Sequence, residues 1–139
     1  MESTFTAACS CGAFTFRSPA GPVLQLVCHC TDCRAVAGTP FTSLAFFKAD
    51  ACEVSGPTRS HRFTADSGNE TTRESCANCN DMVLDRTAGF PHLLGVVAER
   101  MRPPFAFNPR FHVWTRSKLP QVEVPQGIRS FPAGLEPSR

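Results

Sequence analysis

The chain has 139 residues, and its 14 basic and 12 acidic side chains leave a formal net charge of only +2. This length predicts a single domain over residues 1–139. Because the positive and negative charges nearly balance, a nucleic-acid partner is not expected. No apolar run approaches the roughly 20 residues that a membrane helix needs, so no membrane partner is expected either.

The predicted secondary structure is mostly strand. Alternating or apolar runs predict strands, in chain order, at 13–17, 23–27, 41–47, 54–55, 59–64, 82–84, 93–97 and 111–115. Turns are predicted at 19–22 and 56–57, a loop at 66–70, and short helical segments at 31–36 and near Pro109. The segment 125–139 is rich in Pro and Gly and is expected to form an irregular tail. The predicted fold class is therefore all-β.

Seven of the eight cysteines fall in three clusters, C-S-C-G at 9–12, C-H-C-T-D-C at 28–33 and C-A-N-C at 76–79. Disulfides are the alternative to metal, because an even cysteine count is typical of small secreted domains. However, the N-terminal residues show no secretory signal, and bridges across such short spacings would be strained. In a reducing compartment these thiols would stay free to bind metal. We therefore expect a cytoplasmic protein with cysteine metal sites.

The first and third clusters predict a closed four-sulfur site. Four thiolates complete a tetrahedral zinc site, which would join distant segments and contribute folding free energy directly. The C-x-x-C turn needs a residue that tolerates positive φ just after its second cysteine, and Asn80 meets this need, as Gly12 does behind Cys11. Iron also occupies four-cysteine sites, so the spacing alone leaves the metal open.

The second cluster predicts a different site. Cys28, Cys30 and Cys33 place three sulfurs in one compact loop and leave a coordination position open for chemistry. Cys52 is an alternative fourth ligand, although a lone cysteine is more often a small buried apolar residue.

Other polar residues near these clusters have two interpretations each. His29 and His112 are candidate ligands or acid–base groups, or ordinary half-buried residues. Arg34 is a candidate anchor for a substrate carboxylate, because a guanidinium binds carboxylates bidentately, or it is a structural arginine. The acidic candidates for acid–base work, each also interpretable as a surface charge, are Asp32, Glu74 and Asp81.

The three-cysteine ligand set favours thiol chemistry. Three thiolates on Zn²⁺ leave a net charge near −1, which weakens the activation of bound water. A substrate thiol, by contrast, ionises on coordination, and the thiolate is the nucleophile. The site is therefore predicted to add a thiol to an electrophilic carbon, or to cleave the same carbon–sulfur bond.

Together, C-x-C-G, C-H-C-x-x-C-R, Gly38 and the later C-x-x-C resemble the glutathione-dependent formaldehyde-activating enzyme (GFA) family, or CENP-V/GFA domain. The segment F-H-V-W at 111–114 with Leu119 and Pro120 is similar to the family's H-[IV]-W…LP element, so the motif-bearing core spans about 9–120. The resemblance implies an Mss4-like β-tent of short antiparallel strands clipped by zinc.

The resemblance also implies two zinc ions per chain. A structural zinc is expected on Cys9, Cys11, Cys76 and Cys79, and a catalytic zinc on Cys28, Cys30 and Cys33. The implied activity is that of a carbon–sulfur lyase, which interconverts S-(hydroxymethyl)glutathione with glutathione and formaldehyde. Glutathione, or a similar small thiol, is the expected partner.

Two non-catalytic alternatives remain, a glutathione carrier and a zinc-containing module that binds protein. A pure binding module needs the four-cysteine site but has no need of an open three-cysteine site, which favours the enzyme. The sequence leaves the oligomeric state open, with a homodimer among the alternatives.

Overall fold

The computed structural model describes residues 4–31, 34–35, 38–64 and 70–133. Within these residues the regular structure is almost entirely strand, which confirms the all-β prediction. The strands are β1 Phe5–Ala8, β2 Thr15–Ser18, β3 Leu24–Cys28, β4 Thr42–Lys48, β5 Glu53–Ser55, β6 Thr58–Thr64, β7 Glu70–Cys76, β8 Met82–Thr87, β9 Leu93–Val97, β10 Phe111–Val113 and β11 Arg129–Ser130. Three single-turn 3-10 helices lie at Ala49–Ala51, Ala98–Arg100 and Thr115–Ser117.

The strands form two sheets. The smaller sheet is antiparallel, with the order β1-β2-β5, and the larger has the order β11-β10-β3-β4-β9-β8-β7-β6. Pairing in the larger sheet is antiparallel except where β10 lies parallel to both β3 and β11. Parallel neighbours require a crossover connection, so the chain after β9 returns across the fold to place β10 beside β3.

The two faces of the larger sheet carry separate apolar clusters. Cross-strand partners share a face, and successive residues of a strand alternate between faces. The first cluster joins the two sheets and is built on Ala7, Phe14, Phe16, Ala45, Phe47, Val83, Leu84, Leu94 and Val96. The second cluster lies on the opposite face and is built on Leu26, Leu44, Phe46, Met82, Val97 and Val113.

Strand β8 contains a bulge that places two successive residues on the same face. Its ladder with β7 pairs Glu74 with Leu84 but Ser75 with Met82, so Val83 is an extra residue. Val83 and Leu84 both pack in the first cluster, whereas Met82 packs in the second. The bulge thus explains why Val83 and Leu84 face the same cluster. All four residues Met82–Asp85 are buried because both faces of the sheet are covered.

Several predicted elements need correction. Strands β1 and β7 were not predicted, and residues near Pro109 have no regular structure instead of a helical turn. The segment expected to be an irregular tail contributes β11, which pairs with β10, while 134–139 lie outside the described residues. Of the predicted loop at 66–70, only Glu70 is described, as the first residue of β7.

Among the described residues, the structure contains no helix with the length and apolar character needed to cross a bilayer.

Candidate metal centre and thiol site

The first and third cysteine clusters meet at one point. The sulfurs of Cys9, Cys11, Cys76 and Cys79 all lie within 4.8 Å of one another. Cys11 Sγ lies 3.5 Å from Cys9 Sγ and 3.7 Å from Cys76 Sγ. A tetrahedral zinc with Zn–S bonds of about 2.3 Å would separate its sulfurs by about 3.8 Å. These four sulfurs therefore fit a single metal ion, and the spacing is compatible with zinc.

The backbone of the two turns holds this arrangement. Asn80 has φ of 67° and Gly12 has φ of 78°, so the predicted left-handed positions are confirmed. In the C-x-x-C turn the Asn80 amide donates to the Cys76 carbonyl at 2.9 Å, and the Cys76 amide donates to the Asp81 carbonyl at 2.8 Å. The turn is thus closed by its own hydrogen bonds, which fix where Cys76 and Cys79 point.

A polar bridge ties the two turns together. Asp81 Oδ2 accepts hydrogen bonds from the Ser10 amide at 2.8 Å, from the Ser10 hydroxyl, and from Arg100 Nη1 at 2.8 Å. The Ser10 hydrogen bonds and Arg100 hold the pKa of the Asp81 carboxyl below its usual range. Asp81, which the sequence offered as an acid–base candidate, is therefore an ionised acceptor beside the four-cysteine cluster.

Cys9 is buried in the first core. Burial by itself favours the neutral thiol, but the Phe14 amide, 3.3 Å from the sulfur, and the neighbouring thiols lower the pKa of Cys9 to about 6. A thiol that ionises this readily is suited to metal binding, which requires the thiolate. Cys9, Cys11, Cys76 and Cys79 are all free thiols and form no disulfide with one another.

The described cysteines of the second cluster, Cys28 and Cys30, lie on the other face of the large sheet. Cys28 ends β3 and is buried, and Cys30 is half-buried beside the second apolar cluster. Cys33 and Asp32 lie outside the described residues. Cys52 packs against the first cluster and donates to the Lys48 carbonyl at 3.2 Å. Its placement therefore gives no support to the alternative in which it joins the loop as a fourth ligand.

The two histidines that the sequence singled out contact each other. His29 Nε2 and His112 Nδ1 share a hydrogen bond of 2.8 Å, and the rings stack with centroids 5.1 Å apart. The His29 amide also donates to the Val113 carbonyl at 3.0 Å. Burial lowers the pKa of both imidazoles, and that of His29 falls to about 4. The pair is therefore neutral at pH 7 and connects the cysteine loop to β10.

Arg34 also connects the cysteine loop to a segment that is distant in sequence. Its Nη1 donates to the His29 carbonyl at 2.8 Å and to the Ser117 carbonyl. Arg34 itself is helical, and its amide donates to the Cys30 carbonyl at 3.1 Å. This geometry gives Arg34 a structural contact with residues 115–117, and its use as a carboxylate anchor stays a prediction.

Sequence reasoning missed one polar pair at this face. Arg73 of β7 and Asp85 of β8 form an ion pair of 2.9 Å, and Arg73 Nη2 lies 3.9 Å from Cys30 Sγ. Burial raises the pKa of Asp85 to about 6, and Arg73 opposes that rise. The alternation of side chains along β7 places Arg73 on the buried face. A charged residue at such a position is the signal that could have identified the pair. Glu74, by contrast, binds Arg86 at 2.6 Å.

Comparison with protein families gives one finding. Residues 4–117 match the family model described as glutathione-dependent formaldehyde-activating enzyme. This range contains all three cysteine clusters and the His112 strand. Comparison with curated proteins gives no match.

Proposed function

Because the chain belongs to the glutathione-dependent formaldehyde-activating enzyme family, we propose that it is a zinc-dependent carbon–sulfur lyase. Its substrates would be a glutathione-type thiol and a small electrophile such as formaldehyde. In the forward direction the thiol sulfur bonds to the carbonyl carbon, the carbon–oxygen π bond opens, and the proton released by the thiol ends on that oxygen. Cleavage of the adduct reverses these steps.

One observation carries this proposal. The four-cysteine cluster is complete without Cys28 and Cys30, which lie with the second apolar cluster on the opposite face of the sheet. A chain that needed zinc only for its fold would have no use for a second group of cysteines. The four-cysteine zinc is therefore proposed as structural, and the second zinc as catalytic.

The residues that would hold the catalytic zinc are Cys28, Cys30 and Cys33. When bound there, zinc would favour the ionised form of the substrate thiol. The neutral His29–His112 pair and Arg34 connect the segment around Cys28 and Cys30 to β10 and Ser117, which keeps these two cysteines in place. A cytoplasmic location suits the proposal, because thiols remain reduced there.

Calorimetry of thiol binding tests the proposal. Glutathione should bind with release of a proton, measured in buffers of different ionisation enthalpy, because a thiol protonated at pH 7 ionises on the metal. S-methylglutathione, which has no such proton, should bind much more weakly. Equal binding of both without proton release would contradict thiol coordination and favour a peptide-binding module.

Catalysis is tested separately by exchange. Nuclear magnetic resonance of labelled formaldehyde with glutathione should show faster interconversion with the adduct when the protein is present. Cys30→Ser should abolish the acceleration, and Cys52→Ser, which changes a cysteine outside all three clusters, should retain it. Glutathione binding without any acceleration would mean a carrier and not a lyase.

A further inference from the structure

The Arg73–Asp85 pair is buried far more deeply than an ordinary surface ion pair. The two side chains are 5% and 4% exposed, and the residues are direct cross-strand partners in β7 and β8. Removing two charges from water costs several kcal/mol per ion, and well-packed apolar residues often stabilise a core as well or better. Stability alone therefore does not explain why this sheet position carries a pair of opposite charges.

The guanidinium of Arg73 is fixed on three sides. Nη1 contacts Asp85 Oδ2 at 2.9 Å, Nη2 donates towards Cys30 Sγ at 3.9 Å, and the Phe63 ring lies 5.2 Å from the guanidinium carbon. An arginine presents several N–H donors in one rigid plane, so it can hold a carboxylate and a sulfur at once.

The sheet leaves room for this arrangement at Gly95. Gly95 is the partner of Asp85 in β9. A Cβ at this position would lie 2.8 Å from Phe46 Cε1, closer than real Cβ contacts, and 3.1 Å from Asp85 Cβ, which would have to shift. The absence of a side chain at 95 thus allows Asp85 to stay beneath Arg73.

We propose that Arg73 is a positioning residue for Cys30, with Asp85 fixing its guanidinium so that Nη2 holds the Cys30 sulfur in place. The inference rests on the proposed function only in treating Cys30 as a metal ligand. The Arg73–Asp85 pair carries no net charge, so its effect on the sulfur is local: an N–H donor aimed at a thiolate favours the ionised form. Hydrogen bonds from outside the ligand set commonly tune metal sites in this way.

Cobalt titration tests the role of Arg73. Protein already holding one equivalent of zinc per chain is titrated with Co²⁺, and uptake of the second ion is followed by its sulfur-to-cobalt absorption. Arg73→Met should weaken this second binding by about 10- to 100-fold, which is the usual effect of removing such a partner, and should shift the absorption band. Arg73→Lys, which keeps the charge but loses the planar fork, should recover part of the affinity.

Two further variants keep the test decisive. Arg73→Met leaves Asp85 buried without its partner and can unfold the chain for that reason alone, so Arg73→Met/Asp85→Asn removes both charges together. The matched control is Arg86→Met, which breaks the Arg86–Glu74 ion pair between the same two strands and should leave the second binding unchanged. Unaltered cobalt affinity and spectrum in a folded double variant would overturn the proposal, as would a parent protein that takes up no second ion.

The same samples separate this inference from the proposed function. Failure of the parent to accelerate adduct exchange, together with weakened cobalt binding in the Arg73 variants, would contradict the lyase and support the role of Arg73. Accelerated exchange in the parent, together with unaltered cobalt binding in those variants, would support the lyase and contradict the role of Arg73.

Discussion

At the scale of single residues, the His29–His112 contact defines how the cysteine loop is held. His29 is fully buried, and its Nε2 is satisfied by His112 Nδ1 at 2.8 Å. A buried polar atom that loses its partner costs about 1–3 kcal/mol. The pair is therefore expected to contribute measurably to stability as well as to the position of the loop.

Replacing His112 tests this contribution. His112→Phe keeps a ring but removes the acceptor or donor at Nδ1, and should lower the unfolding free energy by about 1–3 kcal/mol in urea denaturation. His112→Asn, which places a polar atom near the same position, should lose less. His61→Phe is the control, because His61 is exposed and such surface changes usually stay within about 0.5 kcal/mol. Equal losses at positions 61 and 112 would mean that the contact contributes nothing.

The pair also predicts a pH dependence. Burial lowers the pKa of both imidazoles, that of His29 to about 4, whereas an unfolded histidine ionises near pH 6.5. As the pH falls, the histidines of the unfolded chain are therefore protonated first. The contribution of the neutral pair to the unfolding free energy is complete above pH 6.5 and is lost towards pH 4. Asp85, with its raised pKa of about 6, acts in the opposite sense.

For this reason the measurement compares two proteins and not two pH values alone. The difference in unfolding free energy between the parent and His112→Phe should shrink as the pH falls from about 7 to about 4.5, because one of the two histidines no longer titrates. Asp85 is common to both proteins and cancels. A difference that stays constant over this interval would contradict the lowered pKa values.

At the scale of elements, the turn between β7 and β8 determines whether the four-cysteine cluster can form. Asn80 occupies the left-handed region, with φ of 67°. For an L-residue with an ordinary side chain this conformation costs roughly 1–2 kcal/mol, and glycine avoids the cost.

Asn80→Ala should therefore lower the unfolding free energy of the zinc-bound protein by about 1–2 kcal/mol. Asn80→Gly should be neutral or mildly stabilising at the same position, since it keeps the backbone conformation available. The measurement is thermal unfolding of the two variants at equal zinc content. Similar melting temperatures for both would show that the backbone conformation at residue 80 is not what matters.

The elements also show what the sequence could predict. Short-range patterns were sufficient for β3, β4 and β9, whose apolar runs mark them, and for Asn80, whose role follows from the spacing of two nearby cysteines. Strand β7 was missed because Arg73 and Glu74 make it look like a solvated segment. The charged residue in fact marks the buried face, but only the register with Asp85 reveals that.

The contacts of the candidate site that the sequence did not predict depend on long-range strand pairing. The sequence offered His29 and His112 separately, and their contact depends on β10 lying parallel to β3. The sequence left Arg34 as either a carboxylate anchor or a structural arginine, and its contact with the Ser117 carbonyl depends on the same crossover. No local pattern specifies which distant strands become neighbours.

At the scale of the whole molecule, the two cysteine groups differ in what they connect. The four-cysteine cluster joins two distant turns at the edge of the first apolar core, whereas Cys28, Cys30 and Cys33 lie within one short segment. Metal at the first site would therefore be coupled to folding, because the ion closes a long stretch of chain.

Cysteine substitutions should separate the two sites. The parent should hold close to two zinc equivalents by elemental analysis. Cys76→Ser should unfold or strongly destabilise the chain, and Cys30→Ser should lose one equivalent while circular dichroism and melting temperature change little. The reverse order of melting temperatures would exchange the structural and catalytic assignments.

The crossover that places β10 beside the cysteine loop has a consequence during synthesis. His29 and His112 are 83 positions apart, as are Arg34 and Ser117. At roughly 5–20 residues per second, a ribosome makes Cys28 and Cys30 several seconds before the segment that will cover them exists. A nascent chain therefore exposes bare thiols that the finished protein shelters. Newly made chains should be more readily oxidised at this loop than mature ones.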